Sequence, residues 1–167
     1  MKKKPAAKRP TRAAKPARTP KCYVVRKSAI HGRGVFALGD ITKGTRIVEY
    51  TGERMSHAEA DRRYSKRHDG SAHTMLMAAD DDVVIDATKR GSAARWINHS
   101  CAPNCEAIED EGHVYIEARR AIRKGEELAY DYALMVGERH TKKLKAEHAC
   151  YCGARTCRGT LLAKKGG

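Results

Sequence analysis

The sequence predicts a mostly β domain built of short strands with few short helices. From Cys22 onward, short segments alternate apolar and polar residues, and Gly, Asp or Lys-Gly pairs separate them. Only two stretches carry a helical signature, and both are rich in charge. The length of 167 residues suits one core of ordinary size, and a hydrophobic share of 41% lets most of the chain contribute to it.

Residues 1–21 stand apart from this pattern. They hold nine Lys or Arg, no acidic residue, four of the five prolines and five alanines, a composition that cannot bury a core and is predicted to be disordered when free. The net charge is +14, of which only +5 belongs to the remaining 146 residues, so the argument for an acidic partner rests largely on this arm. Its cations would release counterions from a nucleic acid or a phosphate-rich surface; a solubilising tail explains the same composition. No apolar run approaches the roughly 20 residues that span a bilayer, and no apolar stretch of a secretory signal follows the basic start. The expectation is a soluble intracellular protein with no membrane partner. In such a compartment the six cysteines point to thiolates rather than disulfides.

The strand candidates, in order, are KCYVVRK (21–27), RIVEYTGE (46–53), DDVVIDAT (81–88), HVYIEARR (113–120) and EELAYDYAL (126–134). A helix is expected over 56–68, with Ser56 as N-cap and Glu59 in the capping-box position, and a second over 138–148. A weak echo relates Ile41-x-Lys43-Gly44-x-x-Ile47 to Ile122-x-Lys124-Gly125-x-x-Leu128 and reads as two similar hairpins. In the last strand candidate, period two places Leu128, Tyr130, Tyr132 and Leu134 on one face, with the phenols roughly 6 to 7 Å apart along it. Such a pair could frame a small reacting group, or could be two core tyrosines with satisfied hydroxyls.

Three further segments concentrate chemistry. GSAARWINHSCAPNC (91–105) gathers Arg95, Trp96, Asn98, His99, Ser100 and Cys101 beside a Pro103-Asn104 turn, a density typical of a binding loop. SAIHGRGVFA (28–37) contains a Gly-x-Gly where backbone can approach a ligand, without the third glycine and helix of a dinucleotide fingerprint. CYCGARTC (150–157) packs three thiols into eight residues, and Cys101 is the obvious fourth ligand for a tetrahedral ion. Spacing alone leaves free or redox thiols open for these, while Cys22 and Cys105 read as structural.

Together SAIHGRGVFA, EYTGE, DATKRGSAARWINHSCAPNC and KGEELAYDY, followed by CYCGARTC, resemble the SET-domain protein lysine methyltransferases with a post-SET zinc motif. The resemblance runs from about Cys22 to Leu162. It implies a SET (β-clip) fold with a pseudoknot-like core, in which the segment of Asn98 and His99 is threaded by the strand of Tyr132. It implies S-adenosylmethionine as methyl donor, contacted by His31, Gly32, Arg33 and Gly34 largely through backbone, by Asn98 and His99, by Tyr132, and by Tyr151 over the adenine. Tyr132 matches the catalytic tyrosine, Tyr50 a tyrosine of the lysine channel, and Tyr130 the position whose phenylalanine-or-tyrosine choice sets the number of methyls. Tyrosine there implies monomethylation, with dimethylation as the alternative. Cys101, Cys150, Cys152 and Cys157 match the four zinc ligands.

The resemblance divides the chain into the arm 1–21, a SET domain 22–134, a helical linker 135–149, a post-SET zinc motif 150–162 and a tail 163–167. With no cysteine-rich segment before the domain, the chain resembles a free-standing, minimal enzyme acting as a monomer or weak dimer. Met75 and Met77 stand where the family carries an aromatic pair, which puts channel shape and rate in question, and Trp96 reads as a core residue. The implied substrate is a lysine of a histone or histone-like DNA-packaging protein, in a bacterial cytoplasm or nucleoid, or in nuclear chromatin. Asp80–Asp82 or Glu106–Glu111 could offer an acidic groove to a basic tail, though solvated turns explain them equally. Against a bulk preference for such tails, the cations of 139–158 face only Glu147. Residues 2–21 could hold the enzyme on DNA, or carry lysines that it methylates. The alternative is a zinc-stabilised SET-like module, weak or inactive, that binds nucleic acid or protein through its basic arm.

Overall fold

The computed structural model describes residues 21–64, 75–137 and 139–164. The expected disorder of the arm, the end of the first helix and the final tail residues fall outside these. Among the described residues, ten short strands form three small sheets. The first sheet has the order β1 (Tyr23–Lys27), β2 (Arg33–Ala37), β10 (Glu127–Tyr130), β7 (Asn98–His99). The second has β3 (Arg46–Glu49), β9 (His113–Ala118), β8 (Cys105–Asp110), and the third β4 (Glu53–Ser56), β6 (Val83–Asp86), β5 (Leu76–Ala78). Helix α1 spans His57–Tyr64 and α2 Lys142–Glu147.

Local chemistry accounts for the element ends. Ser56 Oγ accepts the Glu59 N–H at 3.2 Å and starts α1, as the capping pattern predicts. Thr141 Oγ1 does the same for α2 through Leu144 N–H at 3.1 Å, so that helix begins four residues later than expected. RIVEYTGE divides into β3 and the start of β4, because the chain leaves one sheet at Tyr50 and enters another at Glu53.

The two Lys-Gly segments are not self-contained hairpins. Ile41 bridges Ile122 in antiparallel fashion, and each glycine, at positive φ, donates its N–H to the strand preceding the other turn. Gly44 donates to Ala118 O at 2.7 Å and Gly125 to Ala37 O at 2.8 Å. Equivalent residues lie 81 apart, and the echo therefore marks a local two-fold exchange across one core. Ile41, Ile47, Ile122 and Leu128 are all buried there, with Val35, Ile97 and Ile116. Burying side chains of this size stabilises the fold by about 1.5–3 kcal/mol each.

The feature that positions the site is the parallel pairing of β7 with β10, in which Asn98 lies opposite Ala129 and His99 opposite Tyr130. Asn104 fixes it from beneath: its side-chain NH2 donates to Glu127 O at 2.8 Å while its carbonyl accepts the Ala129 N–H at 2.8 Å. The two segments expected to interlock do run side by side.

Strand β10 ends at Tyr130, four residues short of the expected alternation through Tyr132 and Leu134. Ala133 adopts φ 44°, a left-handed conformation that breaks the strand and turns Tyr132 back toward Tyr130. Their ring centroids are 4.9 Å apart at 47°, a packed pair rather than two evenly spaced side chains.

Candidate active site

A cleft of about 550 Å3 collects residues from β2, β7 and β10 of the first sheet, from β5 of the third and from the loops beside them. Its lining includes His31, Gly32 and Arg33, Asn98, the three tyrosines Tyr50, Tyr130 and Tyr132, and Met75 and Met77. That volume lies within the usual range for a cofactor or drug-sized ligand. Gly32 adopts φ 45° with open space where a Cβ would project, so the β1–β2 turn presents bare main chain to the cleft.

Asn98 locks that turn in place. Its side-chain NH2 lies within hydrogen-bond distance of His31 O (3.3 Å), Arg33 O (3.0 Å), Ser28 Oγ (3.1 Å) and Glu127 Oε1 (2.7 Å). Ser28 Oγ also donates to the Glu127 carboxylate, and accepts the Ile30 N–H at 2.9 Å. Gly34 is required beside this network, because a Cβ would strike the Glu127 carboxylate. Gly34 and His99 thus shape the cleft from behind, without lining it. Nothing in the motifs singled out Glu127; the available signal was a carboxylate inside an otherwise apolar strand.

The three phenols differ in what they have left to offer. Tyr132 donates its hydroxyl hydrogen to Ile97 O at 2.8 Å, and Tyr50 donates to Met75 O at 3.0 Å. Both therefore keep oxygen lone pairs free. Tyr130, buried and lining the cleft, makes no hydrogen bond through its hydroxyl among the described residues. Burial, and then the Glu127 charge, push the Tyr132 phenol up to about 12; burial raises Tyr50 and Tyr130 as well. All three remain neutral at physiological pH. No acidic residue lines the cleft among the described residues.

Beneath Tyr132 lies His99, whose ring meets the phenol edge-on at 5.3 Å. His99 Nδ1 accepts the Tyr132 N–H at 3.1 Å, which leaves the proton on Nε2, 3.3 Å from Cys101 Sγ. One imidazole thus joins the tyrosine turn to the thiol cluster.

In that cluster the sulfurs of Cys101, Cys150, Cys152 and Cys157 all lie within 4.8 Å of one another. Cys101 is 3.8 Å from Cys150 and 3.9 Å from Cys157. A tetrahedral ion with metal–sulfur bonds of about 2.3 Å needs sulfurs about 3.8 Å apart, so the four thiols fit a metal ion. Backbone N–H groups of Cys101, Arg158 and Gly159 point at Cys152, Cys101 and Cys157 sulfurs, the environment thiolates require. Burial acts to raise the Cys152 thiol, but the Cys101 and Ala154 N–H groups and neighbouring thiols bring it down to about 6. Cys105 lies fully buried in the core and Cys22 packs against it, as structural cysteines should.

The C-terminal segment is also tied down without a metal. Arg158 grips Asp131 with two hydrogen bonds of 2.6 and 2.5 Å, and Leu134 pairs with Leu161–Ala163. Arg158 therefore does not belong to the exposed basic cluster expected over 139–158. Trp96 also departs from expectation: one side packs on the core, and the ring reaches the cleft between the guanidiniums of Arg33 (5.2 Å) and Arg95 (4.8 Å). Tyr151 is 82% exposed and outside the cleft lining. Asp80 caps its own turn, Asp110 pairs with Arg46, and neither acidic stretch lines the cleft.

A family model described as SET domain matches residues 32–133. The chain belongs to the SET-domain family. It is 42% identical over 139 residues to a Schizosaccharomyces pombe protein named histone-lysine N-methyltransferase, H3 lysine-4 specific, a match covering 80% of this chain and 14% of that one. It is 44% identical to the Caenorhabditis elegans histone-lysine N-methyltransferase set-2 and 42% identical to Homo sapiens histone-lysine N-methyltransferase 2B. Those matches cover 81% and 82% of this SET protein, but only 9% and 5% of the relatives. The chain thus spans a small part of the length of the curated relatives it matches. The mostly β architecture and the C-terminal cysteine cluster agree with a SET domain followed by a post-SET motif. No helix among the described residues is long and apolar enough to cross a membrane.

Proposed function

We propose that the chain is an S-adenosylmethionine-dependent protein-lysine N-methyltransferase acting on histones or histone-like DNA-packaging proteins. The observation that carries this reading is the convergence of Tyr50, Tyr130 and Tyr132 on one cleft with the main chain of His31–Arg33 and with Asn98. The S-adenosylmethionine, when bound, supplies an electrophilic methyl group on a positively charged sulfur. The residues to hold it are His31, Gly32 and Arg33 through backbone, with Asn98, Tyr132 and, from the post-SET segment, Tyr151, while Gly34 and His99 support them from behind.

A lysine with an ordinary pKa of about 10.4 is charged at neutral pH and cannot accept a methyl. Enclosure among phenols and the Met75 and Met77 side chains disfavours the ammonium, and the absence of a lining carboxylate removes the group that would stabilise it. Tyr132, neutral and with its hydrogen committed to Ile97 O, turns oxygen lone pairs toward the cleft. It orients and stabilises developing positive charge; it is not a base. Tyr50 acts the same way on the lysine side. The uncommitted Tyr130 hydroxyl can hold a water or the amine, which takes the room of a second or third methyl group and favours monomethylation, with dimethylation as the second product.

The ion proposed for the four cysteines is zinc, which fixes the post-SET segment beside the cleft. The working division of the chain is arm 1–21, SET domain 22–134, linker 135–149, post-SET motif 150–162 and tail 163–167. The arm is assigned to DNA near the substrate, and the protein to chromatin or a nucleoid, as a monomer or weak dimer. Incubation with S-adenosylmethionine and a mixture of core histones and bacterial DNA-packaging proteins, followed by mass spectrometry, should yield monomethyl-lysine. Cofactor binding without any methylated lysine in either protein class would overturn the substrate assignment. No cofactor binding would favour the alternative of an inactive, zinc-stabilised binding module.

A further inference from the structure

Several cations of the folded domain have acidic partners, while others, such as Lys43, Lys89 and Lys142, are exposed without one among the described residues. Arg46 pairs with Asp110 and Glu117, Arg63 with Glu53 and Glu59, Arg120 with Glu126, and Arg158 with Asp131. At the free edge of the first sheet unpaired cations gather, and the nearby Asp40 and Glu126 carboxylates are taken up by backbone N–H groups of Lys124 and Arg123. Lys21, Arg26, Lys27, Arg33, Arg123 and Lys124 are all exposed, and none has an ion-pair partner among the described residues.

Their placement makes the excess local. Lys27 stands directly opposite Arg33 in the β1–β2 ladder, a like-charge cross-strand pair that costs stability. Arg26 lies over the Phe36 ring at 3.8 Å and reaches Gly125 O at 3.4 Å, which sets the turn of Arg123 and Lys124 beside it. A second cavity, of about 630 Å3, is lined by only Val25, Arg26, Lys27, Gly32 and Arg33. Three of its five walls are cationic and none is acidic. Strand β1 is an edge strand, and the chain enters it at Lys21 from an arm carrying eight further cations.

We propose that this edge of the folded domain is a binding surface for the phosphate backbone of double-stranded nucleic acid, extending the arm's contact onto the sheet. A polyanion laid along Arg26, Lys27 and the 123–125 turn would relieve the like-charge pair and release its own counterions. The arm favours nucleic acid over a membrane: residues 2–20 contain no aromatic, Leu, Ile or Val side chain to insert between lipids. The site goes beyond the methyl-transfer reading and does not depend on it.

The test uses the full chain, with its arm intact, and a random-sequence 20-base-pair duplex titrated at several salt concentrations. The variant K27E/R123E/K124E changes three exposed side chains outside the catalytic cleft. It should weaken duplex binding by about tenfold or more at moderate salt, and should flatten the plot of log affinity against log salt by close to 0.9 for each phosphate that is no longer neutralised. An unchanged salt slope in a variant with unchanged melting temperature would confine binding to the arm and overturn the proposal. If the variant melts lower, single reversals at Lys27 and at Lys124 are compared with K142E on α2, and equal losses in all three would overturn it too. Tighter binding to vesicles containing anionic phospholipid than to the duplex, abolished in the same variant, would assign the surface to membranes instead.

Discussion

Tyr132 is defined by what it cannot do: with a phenol pushed up to about 12 by burial and by Glu127, it neither ionises nor accepts a proton at neutral pH. Replacing it with Phe removes the oxygen without altering the ring packed on His99 and Tyr130. Loss of one such oriented dipole should lower kcat by about 100- to 1,000-fold, with little change in cofactor affinity, as steady-state kinetics and calorimetry would register. Tyr130→Phe should instead retain turnover and shift the products toward di- and trimethyl-lysine, read by mass spectrometry. Asn98→Ala leaves Glu127 and two turn carbonyls without their shared donor. It should cost about 1–3 kcal/mol in thermal unfolding and weaken cofactor binding. Tyr130 and Tyr132 were legible from period-two spacing and Asn98 from the density of its loop, whereas Tyr50 was legible only through the family resemblance. The roles of Glu127, Ser28 and Asn104 were not, because single polar residues carry no periodic signal and their partners lie 23 to 99 residues away.

At the level of elements, the thiol cluster and the β7–β10 ladder share one hinge, the His99 ring between the Tyr132 N–H and Cys101 Sγ. Cys157→Ser should therefore abolish stoichiometric metal, measured by elemental analysis, and speed proteolysis within 139–164, while leaving the sheets folded. An unaltered metal content would show that Cys157 is not a ligand. The strand candidates were found by alternation, but β10 was expected to run too far. Its left-handed Ala133 breaks the pattern through backbone geometry that alternation does not encode. The Lys-Gly echo was visible, yet hydrogen bonds that exchange between turns 81 residues apart exist only in three dimensions. Gly125→Ala, at φ 86°, should cost about 1 kcal/mol or more.

For the whole molecule, several carboxylates titrate together. Burial acts to raise Asp86, but hydrogen bonds from Thr88 and Tyr64 and the Arg63 charge hold it below its ordinary value. Asp131 is likewise held down against burial by Arg158. A carboxylate depressed in the folded state stabilises the fold above its unfolded pKa of about 3.9, and that contribution disappears as pH falls through the folded value. Melting temperature should therefore hold steady from neutral pH to about 5 and fall steeply below about 4, with Asp86→Asn shallower in that limb. The overall architecture was readable because short alternating segments and ordered motifs agree on one fold; the paired and unpaired distribution of surface charge was not, since sequence gives composition but not adjacency. The central claim is methyl transfer dependent on the tyrosine cleft. Its most direct test is incorporation of label from methyl-labelled S-adenosylmethionine into histones and bacterial DNA-packaging proteins by wild type and Tyr132→Phe, with cofactor binding measured on both. The account predicts labelled lysine with wild type and near-complete loss in the variant at unchanged cofactor affinity; equal labelling by both proteins would contradict it.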